Sequence, residues 1–271
     1  MNPIIFSIGN FELRWYSVLI LIGVFVGYKI AEKEAAKYEA PKDFMFNLTF
    51  WSVIFGIFGA RLYYVIFNWS QYSHDLLSVF KFWEGGLAIH GGIIAGLLTM
   101  YFYCKKYNVR LIKITDIVVV SLLFAQMIGR WGNFFNSEAH GPATTLAILK
   151  SHVIIPQFII DGMNINGIYY EPTFYYESLW CLLGFIIILF IRKYKHLRLG
   201  TLTAFYLMWY SAGRFVIESM RTDSLMLGGF KIAQIVSIIM FIIGLIITMI
   251  NSRKNPFDDL YHETKLNEIR F

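Results

Sequence analysis

Gly129-Arg130-Trp131-Gly132-Asn133-Phe134-Phe135-Asn136-Ser137-Glu138-Ala139-His140-Gly141 closes an apolar run, Ile117 to Ile128, that reads as a membrane helix. An arginine at the edge of hydrocarbon is costly unless it is paired, so it marks a functional site by default. An interface-snorkelling arginine with helix-ending glycines would account for Arg130 and Gly141. It would not account for Asn133, Asn136 and Glu138 crowding the same turns.

The composition outside this stretch agrees. Of 271 residues, 57% are hydrophobic, 18% aromatic and only 15% charged, and the mean hydropathy is +0.54. Soluble domains rarely look like this. The net charge of +6 would suit nucleic acid, but its distribution points to a membrane instead. Cys104 and Cys181 lie at or within apolar runs and read as buried small hydrophobes. The N-terminus lacks a basic leader region, and Lys29, Glu32, Lys33 and Glu34 stand where a cleavage site would fall. Leu13 to Ala31 is therefore expected to be the first anchor of the mature chain.

The expected fold is an all-α integral membrane protein with seven transmembrane helices. The apolar segments run approximately over 14–31, 44–67, 86–104, 114–132, 176–192, 199–216 and 230–250. The whole chain, 1–271, is expected to be one polytopic domain. An extracytoplasmic head, 133–175, is expected between the fourth and fifth segments. Within it, Gln157 to Asp161 and Ile165 to Tyr170 flank an Asp161-Gly162 turn signal, which predicts a β-hairpin.

Lysine and arginine placement sets the orientation. Sixteen of the 24 basic residues fall on one set of connections. They are Lys29, Lys33, Lys37, Lys42; Lys105, Lys106, Arg110, Lys113; Arg192, Lys193, Lys195, Arg198; and Arg253, Lys254, Lys265, Arg270. The N-terminus is thus expected outside and the C-terminus in the cytoplasm.

A helical rise of ~1.5 Å per residue converts position into depth. Arg130 lies about 24 Å beyond Ile114, Arg214 about 22 Å beyond Leu199 and Arg61 about 25 Å beyond Phe44. His90 lies about 6 Å in from Gly86 on a segment running the other way. Tyr16 and Glu177 open the first and fifth segments. These polar residues share one level, in the outer leaflet. A belt of interface anchors would explain Tyr16, Tyr175 and Tyr176. Arg214, Glu218 and Arg221 share one helix face, so a structural ion-pair ladder is the alternative for that trio. His90 is the only histidine within an apolar run, and Gly91, Gly92, Ala95 and Gly96 beside it permit close helix packing. Nothing stands at metal-ligand spacing from it, so no metal is expected.

Arginines at that depth suit a phosphate, which guanidinium binds through paired N–H groups. The phosphate available there belongs to a phospholipid head group. A histidine can accept a proton near neutral pH. The layer therefore predicts chemistry on a phospholipid with departure of a phosphate-bearing group.

The same residues resemble the prolipoprotein diacylglyceryl transferase family along nearly the whole chain. Gly129 to Gly141 is similar to its signature Gly-Arg-x-Gly-Asn-Phe-x-Asn-x-Glu-x-x-Gly at every fixed position. Arg14-Trp15-Tyr16, His90-Gly91-Gly92 and Tyr210-x-x-x-Arg214-Phe-x-x-Glu218-x-x-Arg221 resemble further motifs. Pro172, Tyr176 and Glu177 match His-Pro-x-Gln-x-Tyr-Glu, whereas Glu171 and Phe174 depart from it. The resemblance implies a bacterial plasma-membrane enzyme with its active site in the outer leaflet. The thiol of a prolipoprotein's lipobox cysteine, in its signal peptide, attacks phosphatidylglycerol. A thioether forms and glycerol phosphate leaves. No cofactor and no nucleic acid are implied. Arg130 and Arg214 would bind the phosphate and neutralise the leaving group, with His90 as candidate base. Tyr16, Asn133, Asn136, Glu138, Gly141, Tyr210, Tyr176 and Glu177 would bind substrate, with Glu218 and Arg221 steadying Arg214. The rival readings are a seven-helix transporter or receptor for an anionic lipid or ligand, and an acyltransferase using glycerol phosphate. A transporter would place its polar residues near the midplane. The acyltransferase would want its site on the cytoplasmic side.

Overall fold

The computed structural model describes residues 2–9, 11–73, 75–82, 85–253 and 259–266. Lys254 and Arg270, counted above with the basic tail, lie outside the described residues. The order is β1 (Ile4–Ile8), β2 (Phe11–Arg14), α1 (Trp15–Ala35), α2 (Phe44–Phe67), α3 (Trp69–Tyr72), α4 (Ile89–Lys106) and α5 (Leu111–Phe135). The head follows with β3 (Ala143–Thr144), α6 (Leu146–Ser151), α7 (Gln157–Gly162), β4 (Asn164–Ile165) and β5 (Ile168–Tyr170). The chain continues with α8 (Thr173–Arg192), α9 (Thr201–Met220), β6 (Met226–Leu227), β7 (Phe230–Lys231) and α10 (Ile232–Ser252). Each expected apolar segment carries one long helix. Five helical stretches, Trp15–Tyr38, Phe44–Phe67, Leu111–Phe135, Thr173–Arg192 and Ile232–Ser252, are long and apolar enough to cross a membrane by length and composition. Helices α4 and α9 fall short, and they carry His90 and the Arg214–Glu218 pair.

The chain divides into two compact units, Met1–Ala31 with Thr115–Glu263, and Glu32–Ile114 with Thr264–Phe271. In the first, α8 and α9 are locked by a reciprocal tryptophan pair. Trp180 Nε1 donates to the Trp209 carbonyl at 2.9 Å, and Trp209 Nε1 to the Trp180 carbonyl at 3.0 Å. The rings stack with centroids 4.2 Å apart. Each indole lies over a glycine of the facing helix. A Cβ on Gly184 would come within 2.3 Å of Trp209, and one on Gly213 within 2.2 Å of Trp180. Gly213→Ala is therefore expected to overpack this seam and cost about 1–3 kcal/mol, read as a lower unfolding temperature in detergent. Gly96→Ala, where a Cβ meets nothing within 4 Å, should not destabilise the protein. An equal shift for both would remove the seam as the cause.

Helix α9 is pinned at both ends. The buried carboxylate of Asp116, on α5, accepts from Gly200 N at 2.6 Å, Thr203 N at 2.8 Å and Thr203 Oγ1 at 2.6 Å. It thus satisfies the unpaired N–H groups of the helix start. At the other end Lys231 Nζ donates to the carbonyls of Glu218, Ser219 and Arg221.

The head has its own core, with Phe134, Leu149, Ile155, Ile159, Ile160, Met163 and Phe174 buried together. Its strands pair antiparallel in the order β3-β5-β4. The expectation of a strand over Gln157 to Asp161 is corrected, because that stretch is helix α7. Pro156 O accepts from Ile159 N and Ile160 N, and Gln157 Nε2 donates to Asp161 Oδ1 at 2.7 Å. The turn is therefore not Asp161-Gly162. It is Asn166-Gly167, between β4 and β5, with φ +53° and +86°, the backbone a two-residue hairpin prefers.

In the second unit α2 and α4 cross at a small-residue seam. A Cβ on Gly59 would stand 2.3 Å from Ala95 Cβ, and one on Gly91 2.3 Å from Gly59 O.

Candidate active site

The signature stretch ends α5 and then folds back on itself. Glu138 N donates to Asn133 O at 3.0 Å. The Glu138 carboxylate accepts from Asn133 Nδ2 at 3.0 Å and Asn136 Nδ2 at 3.2 Å. Ser137 and Ala139 take φ of +53° and +57°, a left-handed conformation that non-glycine residues hold only under constraint and that clusters at functional sites. Gly132 is where Tyr16 lies on α5, since a Cβ there would stand 2.3 Å from Tyr16 Cδ2. Gly141 lets the chain approach Glu171, with Gly141 N donating to Glu171 O at 2.8 Å.

At the start of the signature, on the last turns of α5, begins a chain of alternating charges. Arg130 Nη2 is 2.7 Å from Glu177 Oε1. Arg214 Nη1 is 3.2 Å from Glu177 Oε2, and Arg214 Nη2 is 2.6 Å from Glu218 Oε2. Arg130 Nη2 also donates to Tyr210 Oη at 3.2 Å. The carboxylates are almost fully buried, at 4% and 3% side-chain exposure. The arginines remain open, at 21% for Arg130 and 16% for Arg214. Three helices, α5, α8 and α9, thus meet at Glu177. Trp131 Nε1 supports the junction by donating to Ser178 Oγ, which donates to Met127 O. Tyr206 stacks on Tyr210 and accepts from Gln126 Nε2.

Both contacts of Arg130 use Nη2. Its Nε and Nη1 have no hydrogen-bond partner among the described residues, and neither has Arg214 Nε. Arg130 therefore keeps unspent N–H donors at Nε and at Nη1, each able to take a phosphate oxygen. Arg214 spends both terminal nitrogens on carboxylates and offers Nε.

Tyr16, Arg130, Asn133, Asn136, Glu138, Gly141, Tyr176, Glu177, Tyr210, Arg214 and Glu218 all lie in the first unit. Tyr176 Oη donates to Glu171 Oε2 at 2.7 Å, so the position that departs from the family's histidine still holds its neighbour. Arg221 is corrected. It does not join Glu218 and Arg214 but pairs with Asp223, at 3.0 Å from Nε and 2.9 Å from Nη2. Burial pushes the Asp223 carboxyl up, and its hydrogen bonds to Arg221 more than offset this, holding it below the ordinary carboxylate range.

Two residues expected in the same layer lie in the second unit. His90 is half-buried on the first turn of α4, its ring 6.1 Å from that of Tyr63. Arg61 is only 3% exposed, and its donors reach the carbonyls of Ser78, Val79, Lys81, Gly85 and Gly86 at 2.5–3.2 Å. It ties Ser78, Val79, Lys81, Gly85 and Gly86 to α2 and is not a phosphate ligand. Sequence spacing could not separate the two roles, because both need a cation at the same depth. Among the described residues no three His, Cys, Asp or Glu side chains gather as a metal-binding set would.

The bridging role of Glu177 and the cap by Asp116 were not legible in the sequence. A carboxylate within an apolar run is itself a signal, and Asp116 carried it.

The chain is similar to known proteins along nearly its whole length. The model of the prolipoprotein diacylglyceryl transferase family matches residues 3–250. A phosphatidylglycerol–prolipoprotein diacylglyceryl transferase of Staphylococcus xylosus is 46% identical over 255 residues, covering 94% of this chain and 91% of its own length. Its namesake in Staphylococcus haemolyticus is 46% identical over 264 residues, covering 97% and 92%. That of Staphylococcus aureus (strain Newman) is 46% identical over 246 residues, covering 90% and 87%. With the signature turn, the paired arginines and a match over nearly its whole length, this chain belongs to the prolipoprotein diacylglyceryl transferase family.

Proposed function

We infer that this chain transfers the diacylglyceryl group of phosphatidylglycerol to the thiol of a prolipoprotein's lipobox cysteine. The names of its relatives support both substrates. The observation that carries the reading to particular residues is the shared carboxylate, Glu177. It holds Arg130 and Arg214 side by side while Nε and Nη1 of Arg130 keep their donors unspent. In the reaction the thiol sulfur forms a bond to the glyceryl carbon, and the bond from that carbon to the phosphate oxygen breaks. Negative charge grows on the departing glycerol phosphate. Arg130 donates to its oxygens from Nε and Nη1, and Arg214, held by Glu177 and Glu218, faces the charge as it develops. Such preorganised donors supply a large share of rate acceleration. Asn133, Asn136, Glu138 and Tyr16 frame the head group, Gly141 permits the close turn, and Tyr176 and Tyr210 orient Glu171 and Arg130.

The test is purified protein with phosphatidylglycerol vesicles and a lipobox peptide, scored for glycerol phosphate release and a thioether on the peptide. A transporter or receptor for an anionic lipid would bind the vesicles and release nothing.

The thiol proton needs an acceptor, since a free thiol with pKa about 8.5 is mostly protonated at neutral pH. His90 is the proposed base. His90→Asn should lower turnover steeply and leave phosphatidylglycerol binding nearly intact. The deficit should shrink as pH rises and the thiol ionises unaided. Near-normal turnover at neutral pH would leave His90 a packing partner of Tyr63.

All seven long helices are proposed to cross a bacterial plasma membrane, with the head and site on the outer side, as the basic-residue bias supports. A reporter fused at Lys150 should then register outside, and reporters at Lys106 and Lys195 in the cytoplasm. The opposite pattern would overturn the outer-leaflet site.

A further inference from the structure

Within the second unit, a groove of about 950 Å³ runs along the seam of α2 and α4. Its floor is made of small residues, Gly59 and Ala95, which let the helix backbones approach, with Thr99 beyond them. Its walls are aromatic. Trp51, Phe55 and Phe58 line it from α2, and Phe102 from α4. The stripes Trp51 to Leu62 and Ala95 to Lys106 each extend about 16 Å. The wall residues are open to the surroundings, Trp51 at 43% and Phe102 at 61%, and α2 is a candidate membrane span. What faces them is hydrocarbon.

The two ends of the groove differ. At one end Val79, Phe80 and Phe82 close it. That roof is fixed, because Arg61 donates to the backbone carbonyls of Ser78, Val79 and Lys81. The Arg61 charge is spent there and offers no open site to a ligand. At the other end stands Lys106, in the last turn of α4, its Nζ above the Tyr107 ring. A lysine at that level keeps its stem on the apolar wall and its ammonium at the interface.

We propose that this groove is a second lipid site, holding one acyl chain of an anionic phospholipid whose phosphate rests on Lys106. The chain lies on the Gly59–Ala95 floor with its methyl end toward Phe80. The closed end rejects a head group, and the cationic end selects a negative one. In the orientation proposed above the Lys106 end is cytoplasmic, so the occupant is an inner-leaflet lipid and not the reacting one. The inference rests on the chain spanning a bilayer and not on the transfer reaction. Trp51, Thr99 and Lys106 are outside the proposed catalytic set, so transfer assayed on the same samples reports separately.

The experiment reconstitutes the full chain in phosphatidylcholine vesicles carrying brominated phosphatidylserine or brominated phosphatidylcholine. Trp51→Phe is measured alongside, and the difference in quenching isolates Trp51. Phosphatidylserine should reach half-maximal Trp51 quenching at a mole fraction about fivefold lower, the preference expected for one lysine at an anionic surface. Lys106→Glu should abolish that preference, and Lys105→Glu, beside the groove, should keep it. Thr99→Phe should lower Trp51 quenching by both lipids to that of bulk lipid passing the open wall, and erase the phosphatidylserine preference. Bromine near the head-group end should quench Trp51 more than bromine near the methyl end, since Trp51 lies toward the start of α2. Equal quenching by both lipids in the parent, or the reverse depth order, would overturn the proposal. So would quenching untouched by Thr99→Phe in a protein that still transfers diacylglyceryl.

Discussion

Arg214→Lys is expected to insert and fold like the parent and yet transfer diacylglyceryl on the order of 10²-fold more slowly or worse, the loss typical of one misplaced electrostatic donor. Lysine keeps the charge. Its ammonium is a point and cannot reproduce a planar fork that reaches Glu177 with one nitrogen and Glu218 with the other. Lysine can then tie to only one of the two carboxylates, although Arg130 still holds Glu177, and the unspent Nε donor is gone. Arg110→Lys, at the opposite end of α5 from the signature turn, is the control and should be silent. Initial rates of glycerol phosphate release at saturating peptide decide it. A parent-like rate for Arg214→Lys would mean that only charge counts at this position, and the fork geometry argued for it would be wrong.

Glu177→Gln should be the most damaging change to the resting protein. The side chain keeps its shape, so its packing is spared. Its charge is lost from between two guanidinium groups. Removing one partner of a buried ion pair costs about 3–5 kcal/mol, because the charge left behind is uncompensated. The variant should unfold at a markedly lower temperature in neutral detergent and lose transfer. Phosphatidylglycerol should raise its unfolding temperature more than it raises the parent's. A phosphate supplies the negative charge that the two arginines now lack, and ligand binding to the native state stabilises it. An unchanged unfolding temperature without lipid would show that the arginines are held apart by the helices alone, and that Glu177 is not the tie between α5, α8 and α9.

Much of this protein was readable before its structure. The apolar runs are long and nearly free of charge, so the energetics of burying backbone in hydrocarbon leave helices as the outcome. The signature from Gly129 to Gly141 announced a site because charge and amide groups are expensive at that depth. Arg130, Arg214 and Glu218 were singled out on that ground, and the i, i+4 spacing that joins Arg214 to Glu218 is a property of any helix. The same spacing put Arg221 one turn on, yet Arg221 lies past the end of α9. Its backbone has left the helix, and Asp223 lies within reach instead. Gln157 to Asp161 failed for a related reason. Its β-branched residues and Asp-Gly turn signal favour strands locally, but Pro156 starts a helix and the head core buries Ile159 and Ile160 from one side of it.

What the sequence by itself determined was which residues are too costly to stand in a membrane without a task. Cost depends on residue type and depth, and both can be counted along a chain. Only the tertiary structure decided who meets whom. Arg61 and Arg130 are the same residue type at the same computed depth. One spends its donors on backbone carbonyls, and the other keeps two donors unspent beside a shared carboxylate. That difference comes from contacts between segments far apart in sequence: Glu177 with Arg130 and Arg214, Trp180 with Trp209, and Asp116 with the start of α9. Hydrogen bonds and close packing act over a few ångströms, so these pairings exist only once the helices have been set side by side.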